Sequence, residues 1–392
     1  MESHAAALLP LGAVLLVSLA LEAVGRRTRL PRVSLLILFG IVAGPGGLGW
    51  VSKEVQAWYP LVNVTALGMI GFLLGGSLTR ATLRTLGRLV AWVSLVQVFV
   101  TYTVVCVGLL LLSVPAPLAM LFAAISTATD PAATRDVIDE AGEHSPFVHL
   151  LKGVVAIDDA WGLIVFSLSL VAAMMLLGEQ PPLVLLQQGL WELGGAILLG
   201  LGLGIPVAYA SGRVHAERPL LVEGLGAVFL CVGLADYLEV SYLLACVVMG
   251  VTVANLARHH KRPFRALESI EWPFAILFFV MSGTLLAPGD LGLLGGLGLA
   301  YILLRLSGRL LGGMLAEVPT WASGLPLRWM GPAMLPQAGV AMAMAYVAAE
   351  KLPQYPSLLP VVIASTVLFE LTGPVAARFA LRRADTVRGS SP

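Results

Sequence analysis

The sequence predicts an all-α polytopic membrane protein with about 13 transmembrane helices, built as two inverted six-helix repeats with discontinuous crossing helices. Composition is the first reason: 58% of the 392 residues are hydrophobic and 12% are charged, whereas soluble domains are about 25% charged. Apolar runs of about 18 or more residues, each long enough to cross a bilayer as a helix, recur along the chain. The third reason is a pair of interrupted helices in corresponding places of the two halves.

Net charge and cysteine content exclude other classes of protein. The formal net charge of +1 gives no reason to expect nucleic acid as a partner. Cys106, Cys231 and Cys246 lie inside apolar runs, where they offer neither a disulfide framework nor a metal-ligand spacing. The sequence therefore indicates no resident cofactor.

Each predicted span is close to the length of about 20 residues that a bilayer requires. The N-terminal run lacks a basic start and a clear cleavage site, so it is interpreted as a retained first span. The predicted spans are 5–24, 33–50, 60–78, 89–113, 115–134, 146–176, 183–210, 219–238, 240–257, 270–287, 291–316, 329–350 and 356–381.

The distribution of Lys and Arg predicts the orientation, because cytoplasmic loops hold the excess of basic residues. With an odd number of spans, the two termini lie on opposite sides. If the N-terminus is outside, the inner loops and the C-terminal tail hold 20 of the 24 basic residues. The outer loops keep Lys53 and Lys351, while Arg305 and Arg309 lie within the eleventh span. We therefore expect the N-terminus outside and the C-terminus in the cytoplasm.

The third and tenth spans carry similar residues. Aligning Phe72 with Phe279 also pairs Gly76 with Gly283, an offset of 279 − 72 = 207 residues. Prolines in the fifth and twelfth spans repeat at nearly the same offset. Because the third and tenth spans start on opposite faces of the membrane, we predict an inverted repeat. Spans 1–6 and 8–13 are the halves, and span seven connects them.

The STATDP segment of the fifth span, residues 126–131, predicts a broken helix. Pro131 lacks an amide proton and clashes with the preceding turn, which costs about 3 kcal/mol in a continuous helix. Asp130 is a favoured N-cap, and proline is favoured at the first helical position. We expect one half-helix to end between Ser126 and Thr129 and a second to begin at Pro131. Asp130 would offset the positive charge of the half-helix N-termini.

The twelfth span, GPAMLPQAGVAMAMAYV, contains Pro332, Pro336 and Gly339 and is predicted to break in the matching place. Breaks persist at membrane depth only where they are packed in protein or line a watery cavity. Two of them in corresponding positions indicate a transport site. Two proline kinks that serve packing alone are the alternative.

Two adjacent carboxylates, Asp158 and Asp159, lie inside the apolar sixth span. A carboxylate at the bilayer centre costs roughly 2.5–3.5 kcal/mol, so the pair needs a function or a partner. Neighbouring helical residues point about 100° apart, so one carboxylate can face a cavity and the other a neighbouring helix. Arg305 and Arg309, four residues apart on one helix face, are the candidate partners. Arg305 is preferred because it lies deeper from the following loop, and two structural ion pairs are the alternative.

A carboxylate that faces a watery cavity binds a proton or a small hard cation, but not both at once. If the site opens alternately to the two sides, this competition alone exchanges cation for proton. An intramembrane aspartyl protease needs two aspartates on separate facing helices, which adjacent positions do not supply. The pattern therefore favours a secondary transporter over an enzyme.

Six motifs in this order resemble those of sodium/proton antiporters of the monovalent cation/proton antiporter superfamily, of the Nha/Nap type. They are RLPRVSLLILFGIVAGP in the second span, STATDP in the fifth, IDDA in the sixth, GRLLGG in the eleventh, LPQAGVAMAM in the twelfth and VLFELTGP in the thirteenth. The resemblance covers nearly the full length. It implies a homodimer among membrane lipids, in which a dimerisation domain stays still while a six-helix core carries the ion site elevator-fashion.

The resemblance also implies the roles of segments and residues. Residues 1–88 and 219–289 are the halves of the dimerisation domain, 89–176 and 290–383 the halves of the core, 177–218 the connecting span and 384–392 a short cytoplasmic tail. By this analogy Asp159 carries Na+ or Li+ and the proton, and Asp158 pairs with a basic residue of the eleventh span. Thr129 and Asp130 lie at the crossing of the broken helices. The implied location is the inner (plasma) membrane of a prokaryotic-type cell.

Two departures from the family pattern bear on its branches. Electroneutral members usually have Asn before the carrier aspartate and Glu four residues before that Asn, whereas this chain has Asp158 and Val154. The chain therefore sides with the electrogenic, paired-aspartate branch. That branch often has lysine in the eleventh span, where this chain has arginine, which does not give up its proton. If a second proton is transported, Asp158 would have to bind it.

The expected function is therefore exchange of Na+ or Li+ for protons. A potassium/proton antiporter on the same scaffold is one alternative, and a sodium-coupled symporter of an organic anion is another. The symporter would keep a roomier polar cavity and would not require paired aspartates. A sensor or channel-like subunit is a third class, which predicts binding without stoichiometric exchange.

Overall fold

The structure is a computed structural model of the chain. It describes residues 4–28, 32–51, 58–80, 87–130, 133–134, 137–138, 145–178, 182–210, 221–257, 261–284, 295–318 and 324–389. All regular secondary structure within these residues is helical, as the sequence predicts.

The described residues contain fourteen α-helices and one short 3-10 turn, Leu327–Trp329. In chain order the α-helices are α1 His4–Thr28, α2 Arg32–Ala43, α3 Tyr59–Ser77, α4 Gly87–Leu111, α5 Ala116–Ser126, α6 Pro146–Leu177, α7 Pro182–Ala210, α8 Leu221–Tyr237, α9 Tyr242–Leu256, α10 Lys261–Thr284, α11 Gly295–Glu317, α12 Met330–Ala333, α13 Gly339–Lys351 and α14 Leu358–Gly389.

Each predicted span overlaps one of these helices, and the twelfth overlaps both α12 and α13. By length and apolar composition alone, four segments of the described residues qualify as membrane spans. They are Gly87–Leu111, Leu190–Ala210, Gly295–Glu317 and Leu358–Ala384. The count of about thirteen spans therefore stays a prediction.

Several predicted span edges differ from the structure; the last helix, α14, for example continues to Gly389, past the predicted end at 381. The second span was placed at 33–50, but α2 ends at Ala43 because the chain then turns. The N–H of Leu48 reaches back to the carbonyl of Val42 at 2.7 Å. Gly49 has a φ of +65°, a backbone conformation that favours glycine.

Another difference is at the tenth span: the sequence predicts 270–287, whereas α10 already begins at Lys261. The added turns carry buried Phe264 and Leu267. The ring of Phe264 stacks on Phe72 of α3, with 4.8 Å between ring centroids. The contact between Phe264 and Phe72 therefore stabilises helical turns that precede the apolar run from which the span was predicted.

The chain divides into two compact units. Unit 1 comprises Met1–Arg27, Leu35–Arg84 and Gln180–Ala287, and unit 2 comprises Thr28–Ser34, Thr85–Glu179 and Pro288–Pro392. The roles that the resemblance implies, dimerisation and ion transport, remain predictions for these units.

In unit 1, α9 packs against α3, α7 and α8. Helix α9 contributes Cys246 and Met249 to the buried core of this unit, where they lie in one cluster with Met69, Phe72 and Cys231. Helix α7 covers most of the segment predicted as a connector. Its packing against α8 and α9 makes it part of this unit.

In unit 2, α11 packs antiparallel to α4 through two glycines. A Cβ atom built on Gly308 would lie 2.9 Å from the Cα of Thr101, and one on Gly312 would lie 2.6 Å from the side-chain amide of Gln97. Cβ atoms do not approach other atoms this closely, so glycine at these two positions allows the backbones of α4 and α11 to pack against each other. Helix α5, buried along nearly its whole length, packs against α4 and α6.

We expect Gly308→Ala to lower the thermal stability of the protein, because the added methyl group must push α4 and α11 apart. Overpacking of this kind costs about 1–3 kcal/mol. Gly296→Ala in the same helix is the matched control, since a Cβ atom there meets nothing within 4 Å. The measurement is the unfolding midpoint of purified protein in detergent. Equal midpoints for the two variants would contradict the packing argument.

Candidate functional site

The two broken segments of unit 2 meet through their backbones. Helix α5 ends at Ser126, and the following residues up to Asp130 are not helical. Helix α12 ends at Ala333, and α13 does not begin until Gly339. The N–H of Asp130 donates to the carbonyl of Pro336 at 3.0 Å. Of the predicted break positions, Pro336 thus lies in the break and Gly339 begins the next helix.

Asp130 has the contacts of a helix N-cap. Its Oδ2 accepts a hydrogen bond from the N–H of Ala133 at 3.3 Å. Its carbonyl accepts hydrogen bonds from the N–H of Thr134 at 3.2 Å and from the hydroxyl of Thr134 at 2.9 Å. Pro131, the predicted first residue of the second half-helix, lies outside the described residues. The Asp130 side chain is therefore held at the end of the first break.

The guanidinium of Arg305 joins the carbonyl ends of both broken segments. Its Nε donates to the carbonyl of Ser126 at 3.2 Å and its Nη2 to that of Ala128 at 3.1 Å. Its Nη1 donates to the carbonyl of Leu335 in the other segment at 3.0 Å. The guanidinium also lies 4.1 Å from the centroid of the Phe369 ring of α14. Carbonyls at helix C-termini carry partial negative charge, and the fully buried arginine offsets it.

Arg309, one turn further along α11, forms the ion pair with Asp158 of α6. Its Nη2 lies 3.3 Å from Asp158 Oδ2, and both side chains are completely buried. The same Nη2 donates to the carbonyl of Thr127. The Thr129 side chain, in the first break, is buried as well. That Thr129, Asp130 and Asp158 belong to the ion site stays a prediction.

The described contacts contradict the predicted preference for Arg305 as the partner of Asp158. Arg305 and Arg309 do share a face of α11, but backbone carbonyls take the hydrogen bonds of Arg305. An unpaired carbonyl buried away from water costs as much as a lost hydrogen bond. Arg305 therefore serves carbonyls of both breaks, whereas Arg309 contacts a carbonyl of the first break and also pairs with the carboxylate of Asp158.

Asp159, the predicted carrier, lies in α6 directly after Asp158. Its side chain lies outside the part of the chain that the structure describes. The described residues contain no group of three or more His, Cys, Asp or Glu side chains that could hold a metal ion.

Sequence reasoning missed two polar side chains that hold the crossing. The side-chain amide of Gln337 donates to the carbonyl of Ile125 at 3.0 Å, which satisfies one more carbonyl at the end of α5. Gln97 of α4 is also fully buried. With its oxygen turned toward the N–H groups of Gly313 and Gly331, that oxygen accepts hydrogen bonds at 3.0 and 3.3 Å. Its position as an isolated amide in the apolar fourth span is the signal from which Gln97 could have been found.

A glycine of the VLFELTGP motif explains why α14 reaches the second break. A Cβ atom on Gly373 would lie 2.6 Å from the backbone nitrogen of Pro336. Only a residue without a side chain allows α14 to pack so closely against the unwound segment. The same helix supplies Phe369, whose ring covers Arg305.

A family profile described as "Sodium/hydrogen exchanger, transmembrane" matches residues 12–381 of the chain. The chain belongs to the sodium/hydrogen exchanger family. This is a family of transmembrane transporters rather than enzymes, so this exchanger-family protein is an integral membrane protein. The predicted membership of the monovalent cation/proton antiporters is confirmed.

Other known proteins resemble this exchanger-family chain. It is 28% identical over 145 residues to the Na(+)/H(+) antiporter NhaP of Pseudomonas aeruginosa, a match that covers 36% of this chain and 33% of that protein. The chain therefore matches about a third of the length of this curated relative. A structure of the sodium proton antiporter MjNhaP1 from Methanocaldococcus jannaschii at pH 8 aligns with a TM-score of 0.72 and 19% identity over 98% of both chains. An electron-microscopy structure of MjNhaP1 aligns with a TM-score of 0.68 and 20% identity over 100% of both chains. These alignments confirm the predicted antiporter fold.

A double-mutant cycle tests the buried ion pair. Asp158→Asn leaves Arg309 buried without its counter-charge, and breaking a buried pair costs about 3–5 kcal/mol. Arg309→Gln likewise leaves the buried Asp158 carboxylate without its counter-charge. We expect each single variant to lower the unfolding midpoint in detergent, and the double variant to lose less than the sum of the two. Strictly additive losses would show that the groups do not interact.

Arg305→Lys tests the bridge between the two broken segments. Lysine keeps the positive charge, but it replaces a planar fork of donors with a compact ammonium group that does not span three carbonyls. We expect a lower unfolding midpoint than for wild type. Arg382→Lys on exposed surface of α14 is the matched control and should leave the midpoint unchanged. A midpoint for Arg305→Lys equal to that of the control would refute the bridging role.

Proposed function

We propose that this chain is a secondary active antiporter that exchanges Na+ or Li+ for protons by elevator-type alternating access. The cation and the proton compete for the carboxylate of Asp159. Membership of the sodium/hydrogen exchanger family, shown by the profile match over residues 12–381, supports this proposal.

The observation that carries the assignment is the buried pair of Asp158 and Arg309. The two side chains are 3.3 Å apart and have no exposed surface, so the charge of Asp158 is balanced inside the protein. A carboxylate held in this way serves as the counter-charge of Arg309. The carrier role then falls to the adjacent Asp159, which the family resemblance also suggests.

The surroundings of Asp158 support a site for a small cation. The Thr129 hydroxyl and the Asp130 carboxylate are buried at the same crossing, where they could supply oxygen atoms to the cation. Oxygen donors of this kind suit Na+ and Li+.

The movement and assembly belong to the proposal as well. Unit 2, which holds the crossing, would be the moving core, and unit 1 would be the dimerisation domain of a homodimer. The orientation proposed from the basic residues is N-terminus outside and C-terminus in the cytoplasm. The location proposed is the inner (plasma) membrane of a prokaryotic-type cell.

Transport by reconstituted protein tests the carrier assignment. In proteoliposomes that contain a pH-sensitive dye, adding Na+ or Li+ should move protons, and K+ should do so more weakly. Asp159→Asn should abolish proton movement, because an amide neither binds a proton near neutral pH nor carries a negative charge. Asp158→Asn should retain a signal per folded molecule, since it removes a counter-charge and leaves the carrier.

Asp236→Asn is the control, because Asp236 is exposed on α8 of unit 1 and its loss should leave exchange unchanged. Wild-type exchange by Asp159→Asn would overturn the carrier assignment. A K+ response equal to the Na+ response would favour the potassium/proton antiporter instead.

A further inference from the structure

Gln97 places a neutral amide inside the apolar helix α4, where its side chain has no exposed surface. Burying an amide costs free energy unless the amide forms hydrogen bonds, so an apolar residue would be the cheaper occupant of this position. Gln97, α11 and α12 all belong to unit 2. The hydrogen bonds that the amide forms within this unit therefore indicate its role.

The amide contacts both members of one backbone pair of α11. In an α-helix, the N–H of each residue donates to the carbonyl four positions earlier, which pairs residue 313 with residue 309. The nitrogen of the Gln97 amide donates to the carbonyl of Arg309 at 3.3 Å, and its oxygen accepts the N–H of Gly313 at 3.0 Å. Gln97 thus holds the turn of α11 that carries Arg309.

The same oxygen holds the first turn of α12, the helix that leads to the second break. It accepts the N–H of Gly331 at 3.3 Å, and the first N–H groups of a helix have no partner within that helix. A Cβ atom on Gly312 would lie 2.6 Å from the Gln97 oxygen. A Cβ atom on Gly331 would overlap the carbonyl of Arg309. Glycines thus make room for one amide to join α4, α11 and α12 beside Arg309.

The backbone position of Arg309 decides which groups its guanidinium reaches. Its Nη2 lies 3.3 Å from Asp158 Oδ2 and also donates to the carbonyl of Thr127. The direction of a helical side chain depends on the backbone that carries it, so a shift of this turn moves the guanidinium. Asp158 is followed directly by Asp159, the proposed carrier. A guanidinium that pairs with a carrier carboxylate competes with the transported cation.

We propose that Gln97 is a positioning residue, which holds Arg309 on Asp158 and thereby keeps the guanidinium from occupying the carrier carboxylate. A neutral amide suits this role because it fixes the backbone without adding a charge to the crossing. The competition at the carrier rests on the proposed function, since it takes Asp159 as the carrier. The effect on the pair of Asp158 and Arg309 does not depend on that assignment.

Exchange by reconstituted protein tests the effect on the carrier. Gln97→Met replaces the amide with an apolar side chain of similar length, and Gln97→Asn keeps the amide but shortens the side chain by one methylene group. In both variants the Na+ concentration for half-maximal proton movement should rise several-fold, because Na+ must displace a competing guanidinium. Proton movement per folded molecule at saturating Na+ should stay near wild type. A role in packing alone would lower the amount of folded protein and leave the half-saturating concentration unchanged.

Thr101→Val is the matched control. Thr101 lies one turn further along α4 and is fully buried, and among the described residues its hydroxyl has no hydrogen-bond partner. Valine has nearly the same shape, so this variant also replaces a buried polar group of α4 with an apolar one. It should leave the half-saturating Na+ concentration as in wild type.

A second measurement tests the effect on Arg309 without transport. The non-additive part of the losses in unfolding midpoint caused by Asp158→Asn and Arg309→Gln is measured in wild type, in Gln97→Met and in Thr101→Val. This coupling should shrink in Gln97→Met and stay unchanged in Thr101→Val. Gln97→Asn replaces Gln97→Met in this measurement if the methionine variant does not fold.

The outcomes separate this proposal from the assignment of the carrier. Unchanged coupling in the Gln97 variant would overturn the positioning role. An unchanged half-saturating concentration, in a protein whose Asp159→Asn variant is inactive, would overturn it as well. Reduced coupling together with exchange retained by Asp159→Asn would instead overturn the carrier assignment and support the contact of Gln97 with Arg309.

Discussion

Two buried guanidinium groups hold the ends of the broken helices, and the architecture of unit 2 depends on them. Where the chain unwinds after Ser126 and again around Pro336, carbonyl groups lose their helical partners in a buried part of the protein. Arg305 and Arg309 donate to carbonyls of the first break, and Arg305 reaches the second as well. Because buried backbone groups must be paired, these contacts allow an irregular backbone to persist at depth.

Full burial of two arginines requires the surrounding helices to approach closely, and glycine makes this approach possible. Gly308 and Gly312 bring α11 against α4, while Gly373 brings α14 against the second break. Each position loses the packing that a side chain would contribute. In return the backbones come near enough for one guanidinium to reach two segments, and Phe369 covers its face. The glycines of the motifs are therefore part of the charge arrangement.

The division of charges among the buried groups links this architecture to the proposed exchange. Arg305 offsets carbonyl ends of both breaks, Arg309 pairs with Asp158 and contacts a carbonyl of the first break, and the Asp130 carboxylate accepts the N–H of Ala133. These charges are therefore committed within the protein. An exchanger needs a carboxylate whose negative charge remains available to a cation or a proton, and we assign that role to Asp159.

The sequence by itself determined the helical membrane class, the antiporter resemblance and the breaks at residues 126–131 and around Pro336. These features depend on local properties: apolar length, missing amide protons and cap residues. The four-residue spacing also put Arg305 and Arg309 on one face. Only the tertiary structure decided which of them pairs with Asp158, because the choice depends on where the carbonyls of another segment lie. It likewise revealed Gln337, Gly373 and the early start of α10, since each depends on a neighbour distant in the chain.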